Sequence, residues 1–225
     1  MPSPVWNADA RGDLNRILAN ATALVASLAR AADQRALPDL DTALAWHGQL
    51  YAGCAVPVLG YVGHFRGDPA IPQLVGYEVG IGPRQPDRLP EKVGVWSRQL
   101  GAELPILLAR VHAGLGQLDP ALEPGIRPAT ADAVQEVIQL AAAVHGEWIR
   151  LHPFANGNGR TARVWSNFIA LRYSLPAFVT VKPRPDDVSY IRAGRESMGR
   201  PPDFAGDHSA VTAVFNRMLA LKLHP

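Results

Sequence analysis

Apolar residues recur every three or four positions through most of this chain, the period of a helix with one buried face. From about 13 to 32, Leu14, Ile17, Leu18, Ala21, Leu24, Val25 and Leu28 keep that period, with Asp13 or Asn7 as the capping side chain. Residues 1–12 carry no such pattern and read as a frayed end. Pro38 marks a break before a second helix over about 40–52, with Leu44, His47, Leu50 and Tyr51 on one side. His47 there reads as a structural imidazole that satisfies a hydrogen bond. A helix over about 91–115 turns Val95, Leu100, Leu104, Leu107, Leu108 and Val111 inward, and Pro105 is its candidate kink. After the Pro-rich turn over 119–130, Thr130 caps a helix over 131–151. Val134, Val137, Ile138, Leu140, Ala141, Val144, Trp148 and Leu151 make it apolar around much of its circumference, as a central, buried helix is. The next, over 160–173, carries Val164, Trp165, Phe168, Ile169 and Leu171. One more starts at Asp186 or Asp187 and runs through Tyr190, Ile191 and Arg195. The last covers about 207–223, with Val211, Val214, Phe215, Met218 and Leu219 on one face.

Residues 53–90 break the helical period. Val75, Tyr77, Val79 and Ile81 alternate, which predicts a short hairpin or extended flap over about 70–82. A lone hairpin is marginal in water, so it must lie on the helical body. Its exposed edge can receive a peptide as an added strand. Residues 83–90 read as a linker and 178–181 as a short extended run. The fold class is therefore mostly α, a bundle of about seven helices with a small β-hairpin flap.

The chain has 225 residues, enough for one large domain or one domain with an extension. Hydrophobic residues make up 48% and charged residues 19%, a globular balance. A net charge of +2, with no basic run, gives no argument for nucleic acid or a membrane surface as partner. The lone cysteine, Cys54, lies in an apolar stretch, forms no internal disulfide and fits a reducing compartment. No cysteine pair can hold zinc, no run of 18 apolar residues spans a membrane, and no signal peptide is seen. These features point to a cytoplasmic protein, with secretion as an effector left open.

The densest chemistry lies in residues 145–163. The central helix ends near His152, because Pro153 does not suit a helix interior and biases the residue before it away from the α region. Asn156-Gly157-Asn158-Gly159 then makes a tight loop, since both residue types tolerate positive φ. Its amides sit at the N-terminus of the following helix, where free N–H groups and the helix dipole favour an anion. Arg160 and Arg163, three apart on that helix, can grip phosphate oxygens through two bonds each. His152 stands at the lip of this cradle, where an imidazole can take a proton from a hydroxyl. Rival motifs fail. His145-Gly-Glu147 lacks the cysteine pair of the zinc deaminases, and the glycines fit neither a Rossmann nor a Walker pattern.

The segment His152-Pro-Phe-Ala-Asn-Gly-Asn-Gly-Arg160-Thr-Ala-Arg163 resembles the Fic-domain signature His-x-Phe-x-(Asp/Glu)-Gly-Asn-Gly-Arg-x-x-Arg. Every defined position agrees except the acidic one, which is Asn156. Gly63-His-Phe-Arg66 also resembles the Gly-x-(Tyr/Phe)-Arg that commonly opens the flap of such proteins. The resemblance covers about 40–200, with 1–39 a helical extension and 201–225 a helix packed on the Fic domain.

The resemblance implies transfer of AMP from ATP to a Ser, Thr or Tyr hydroxyl of a target protein, with Mg²⁺ or Mn²⁺. His152 would be the base, and Asn158 with the amides of Gly157, Gly159 and Arg160 would hold the α-phosphate. Arg160 would hold the β/γ end, and Arg163 would support it or pair with the terminal phosphate. Phe154 would anchor the loop. Asn156 occupies the metal position as a weak candidate, or merely satisfies the turn. Tyr190 would line the nucleotide-base pocket, or pack in the core. Val75, Tyr77 and Val79 would form the target-docking flap. Relatives that transfer UMP, phosphate or phosphocholine leave the donor open, and Asn156 keeps open a nucleotide- or phosphate-binding module with weak or no transfer. No glutamate has Ser or Thr four residues earlier, so the family's self-inhibitory Ser/Thr-x-x-x-Glu pattern is missing. Control would then come from a separate antitoxin-like partner, from scarcity of target or from a weak site. The target and the oligomeric state stay unassigned.

Overall fold

A computed structural model describes Trp6 and residues 12–81 and 91–224. Among the described residues there are seven α-helices: α1 (Leu14–Asp33), α2 (Leu40–Leu50), α3 (Leu100–Leu118), α4 (Ala131–Leu151), α5 (Asn158–Arg172), α6 (Val188–Met198) and α7 (Ser209–Leu223). Two short strands, β1 (Val79–Ile81) and β2 (Glu91–Val93), pair antiparallel with Val79 opposite Val93 and Ile81 opposite Glu91. The fold is thus mostly helical with a small two-stranded flap. No helix among the described residues is long and apolar enough to cross a membrane.

The central helix is α4, which packs against α3, α5, α6 and α7, while α1 packs on α5 and α2. Nearly all of α4 from Ala141 to Leu151 is buried, as its apolar circumference demands. An aromatic cluster locks α4 to α5 and α2: Trp165 lies 5.7 Å from Trp148 and 4.8 Å from Trp46 between ring centroids. On α1, Ile17, Ala21, Leu24, Leu28 and Ala32 are buried, whereas Leu14 and Leu18 remain 41% exposed. The inward stripe is therefore narrower than the apolar set.

Caps set several boundaries. The Thr130 side chain accepts from the Ala133 amide and Asp187 from Ser189, while Asp39 and Thr42 form a reciprocal capping box on α2. Asp13 precedes α1 but does not cap it; its carboxylate instead accepts from the Ala55 amide. Asn7 lies outside the described residues.

The flap is displaced from its expected position. Residues 71–77 form turns closed by Leu74 N–H to Ile71 and Tyr77 N–H to Leu74, around a fully buried Leu74. Val75 and Tyr77 therefore precede the strand, and β2 comes from residues expected to be helical. Gly94, at φ +70°, breaks any helix there, and a 3₁₀ turn over Ser97–Gln99 leads into α3 at Leu100. The expected linker over 83–90 lies outside the described residues. Residues 178–181 form no strand. Their backbone partners are α5 side chains: Asn167 bonds both the N–H and C=O of Val179, and Arg163 donates to the Val181 carbonyl.

Candidate active site

The site begins where α4 ends. His152 closes α4 in a left-handed conformation, φ 51° and ψ 53°, its N–H still bonded to the Trp148 carbonyl. Such a cap stops a helix and turns the next residues sharply. Phe154 follows, fully buried, with its ring stacked on His47 at 3.8 Å and flanked by Phe65 and Trp148. Asn158 clamps the loop from the far side: its Oδ1 accepts from the Phe154 amide at 2.7 Å and its Nδ2 donates to the Phe154 carbonyl at 2.8 Å. Gly157 takes φ +85°, and a Cβ there would lie 2.5 Å from the Tyr51 hydroxyl. Only glycine fits that position. The chain then enters α5 at Asn158 with no side-chain cap, which leaves first-turn amides without intrahelical partners.

His152 is half-buried, and its Nδ1 lies 3.2 Å from the Ile149 carbonyl oxygen. A carbonyl only accepts, so Nδ1 carries the proton and Nε2 keeps its lone pair. Burial, then the charges of Arg66 and Lys92, push its pKa down to about 3. The ring is neutral near pH 7.

His47 is engaged at both nitrogens. It accepts from the Gly63 amide at Nδ1 and donates from Nε2 to the Asn156 carbonyl. Burial and the Arg160 charge lower its pKa to about 4. It is a structural imidazole that ties the stretch before the flap to the glycine loop. Arg160 is buried, donates to the Tyr51 hydroxyl at 2.6 Å and lies over that ring.

The remaining expected site residues divide. His152, Asn156, Gly157, Asn158, Gly159 and Arg160 share the loop and the start of α5. Arg163, also buried, reaches the other way, holding the Val181 carbonyl and, at 3.0 Å, the Tyr190 hydroxyl. Tyr190 is itself buried, and its hydroxyl also lies 3.0 Å from His145 Nε2. Its hydroxyl is thus shared between Arg163 and His145. In the flap, Val75 is 59% exposed, Tyr77 packs on Tyr61 and Val79 pairs within the sheet.

Asn156 has both ends of its amide engaged. Its Oδ1 accepts from the Gly157 N–H at 2.6 Å, and its Nδ2 donates to the Trp6 carbonyl at 2.7 Å. Trp6 is buried beside Tyr51, 4.6 Å between ring centroids. No cluster of three His, Cys, Asp or Glu side chains able to hold a metal exists among the described residues. A divalent cation in a phosphate site usually takes one or two carboxylates. The loop residues present do not fit a protein-held Mg²⁺ or Mn²⁺.

Tyr51, Trp6, Gly94 and Arg66 were not among the expected site residues. The first two come from far along the chain and carry no local signal. Gly94 and Arg66 did leave traces, a glycine in an apolar stretch and an arginine closing Gly63-His-Phe-Arg66.

In this helical bundle the central helix hands a histidine to a glycine loop at the start of the next buried helix. The Fic/DOC family profile matches residues 37–170, and the chain belongs to this family. Over 65 residues it is 35% identical to the protein adenylyltransferase Fic of Nematostella vectensis, a stretch covering 28% of this chain and 15% of that protein. The chain thus spans a small part of that relative's length. Among solved structures, it is similar to a Fic domain containing signaling protein from Bacteroides thetaiotaomicron, with TM-score 0.58 and 17% identity over 90% of this chain and 69% of that one. It is also similar to the BepC protein of Bartonella tribocorum, a VirB-translocated effector with bound AMPPNP. There the TM-score is 0.50 and the identity 18%, over 91% of this chain and 86% of the other.

Proposed function

We propose that this protein transfers AMP from ATP to a Ser, Thr or Tyr hydroxyl of a target protein. The observation that carries the reading is the His152 ring, just before the glycine loop, whose proton is held at Nδ1 by the Ile149 carbonyl, leaving Nε2 as acceptor. The adenylyltransferase named in Nematostella and the AMPPNP bound to BepC support a nucleotide as donor.

In this reading the α-phosphate sits against the first-turn amides of α5, and Arg160 faces the β/γ end. The target hydroxyl gives its proton to His152 Nε2 while its oxygen attacks the α-phosphorus. The bond to the bridging oxygen breaks and pyrophosphate leaves. Burial, then the Arg66 and Lys92 charges, hold the resting ring neutral, and a bound polyphosphate adds negative charge that favours its protonated form. Asn158 acts by holding Phe154 and hence the loop. Arg163 and Tyr190 act from behind, by fixing α5 to the 181 segment. The flap receives an extended target segment as an added strand.

A second reading rests on Asn156. With its carboxamide already engaged and no metal-holding cluster of three His, Cys, Asp or Glu among the described residues, the loop suits a donor that needs no protein-held metal, or a module that binds nucleotide and transfers slowly. Incubation with α-labelled ATP, labelled UTP and labelled CDP-choline, each with Mg²⁺ or Mn²⁺, separates the two. The first reading gives label from ATP on protein. Protein label from UTP or CDP-choline in place of ATP, or nucleotide affinity with little or no protein label from any donor, establishes the second.

A further inference from the structure

Arg66 is buried, yet all five of its side-chain N–H groups are placed. Nε donates to the His152 carbonyl at 2.7 Å and Nη2 to the Leu151 carbonyl at 3.1 Å. On the other side, Nη2 donates to Val95, and Nη1 to the Tyr77 carbonyl and the Glu78 carboxylate. The Arg66 backbone N–H adds a 2.7 Å bond to the Pro153 carbonyl. The carbonyls of Leu151 and His152 belong to the end of α4, where a helix lacks internal partners and its dipole is negative. A cation there caps the helix. Tyr77 and Val95 flank the two flap strands, so the same guanidinium holds the root of the flap.

A buried guanidinium is destabilising unless paired. Glu78 supplies the counter-charge, and it is itself fixed by Lys92 and by the Ser97 amide and hydroxyl. Lys92, on β2, also donates to the Val93 and Val95 carbonyls. The flap meets the base without a gap: a Cβ on Gly94 would lie 2.3 Å from the His152 Cβ. Glycine at this position lets β2 run directly over the histidine.

We infer that Arg66 is a positioning residue for the base, fixing the left-handed His152 backbone against the root of the flap. A target segment seated on the flap and the lone pair at Nε2 then keep one fixed geometry. The inference rests on the transferase reading, because a binding module has no need of an aligned base.

The test reads the His152 ring in the donor-free protein by ¹⁵N NMR, its signal assigned from a His152→Gln spectrum. Wild type shows a fixed Nδ1–H tautomer. In Arg66→Lys the charge stays but the fork is lost, so one ammonium cannot hold both sides. The expected result is a ring averaging between tautomers, kcat lower by roughly tenfold to a hundredfold, and an unchanged KM for nucleotide. Glu78→Gln, which keeps Arg66 and loosens its flap side, moves the same readouts by less and carries the test should Arg66→Lys not fold. A folded variant with the wild-type tautomer, or a loss confined to nucleotide KM, overturns the inference. Tautomer averaging in the variants, with a wild type that transfers nothing from any donor, shows that Arg66 fixes the His152 ring but refutes the transferase reading, and with it the role of that ring as a base.

Discussion

At the scale of single residues, the glycine loop divides its labour differently from the expectation its motif raises. Asn158 spends both ends of its amide on the Phe154 backbone. Asn158→Ala leaves a buried N–H and C=O unpaired, at about 1–3 kcal/mol each. The expected result is a clear fall in melting temperature, roughly 2–4 °C per kcal/mol for a chain of this size, read by calorimetry without nucleotide. An unchanged melting temperature with weakened ATP binding would instead make Asn158 a phosphate ligand. Asn156→Asp tests the neighbouring position. A carboxylate still accepts from the Gly157 amide but cannot donate to the Trp6 carbonyl, and it presents anionic oxygen to a hard cation. Transfer in the variant should saturate at lower Mg²⁺ and run faster; identical metal titrations for both proteins would mean that position 156 ligates no metal. The loop residues themselves were legible in the sequence, because they are contiguous and their types demand a turn. Their partners were not. Tyr51, His47 and Trp6 reach the loop from over a hundred residues away, and nothing in local spacing announces such contacts.

At the scale of elements, the long helices were readable because burial imposes a 3.6-residue period on them. The flap was not. Its strands are three residues each, too short for alternation to separate strand from turn, and β2, Glu-Lys-Val, runs straight into the apolar Val95 and Trp96 that mimic the start of α3. The deciding feature is Gly94, whose positive φ and contact with His152 reserve the position for glycine. Gly94→Ala therefore has two penalties, a strained backbone, more than about 1 kcal/mol, and a clash at the base. The expected outcome is a flap lifted from His152. Hydrogen exchange should be faster at the Val95 amide, which bonds the Arg150 carbonyl, while amides in the middle of α4 keep their protection. Unchanged exchange at Val95 would show that β2 does not rest on the histidine.

At the scale of the molecule, three imidazoles, buried His47 and His145 and half-buried His152, set the response to acid. His47, His145 and His152 have folded pKa values of about 4, 3 and 3, against an ordinary value near 6.5. Burial is the main cause in each, followed by the charges of Arg160, of Arg163 and His208, and of Arg66 and Lys92 respectively. Between those values the unfolded chain binds more protons than the folded one, so stability rises with pH across that window. Stability is then full above about pH 6.5 and declines as the pH falls toward the folded values. Against the opposing effect of burial, Asp119 is held low by Arg172 and Tyr173 and Glu147 by His208 and Arg150, so they add to the loss as the pH falls from the ordinary carboxylate range toward their lower folded values. A melting temperature that drops between pH 7 and pH 5 is expected; a flat profile over that range would mean that the histidines are not held neutral by the fold. This property follows from packing, and the sequence disclosed only the histidines themselves.

The most direct measurement is label transfer to protein from ATP carrying the label at the α- or at the γ-phosphate, by wild type and by His152→Ala. Base catalysis of AMP transfer requires α-label on protein, no γ-label, and a fall of about 10²–10⁴ in rate for the alanine variant, with ATP affinity retained. Protein label from the γ-position alone, or equal α-label from both proteins, would contradict it.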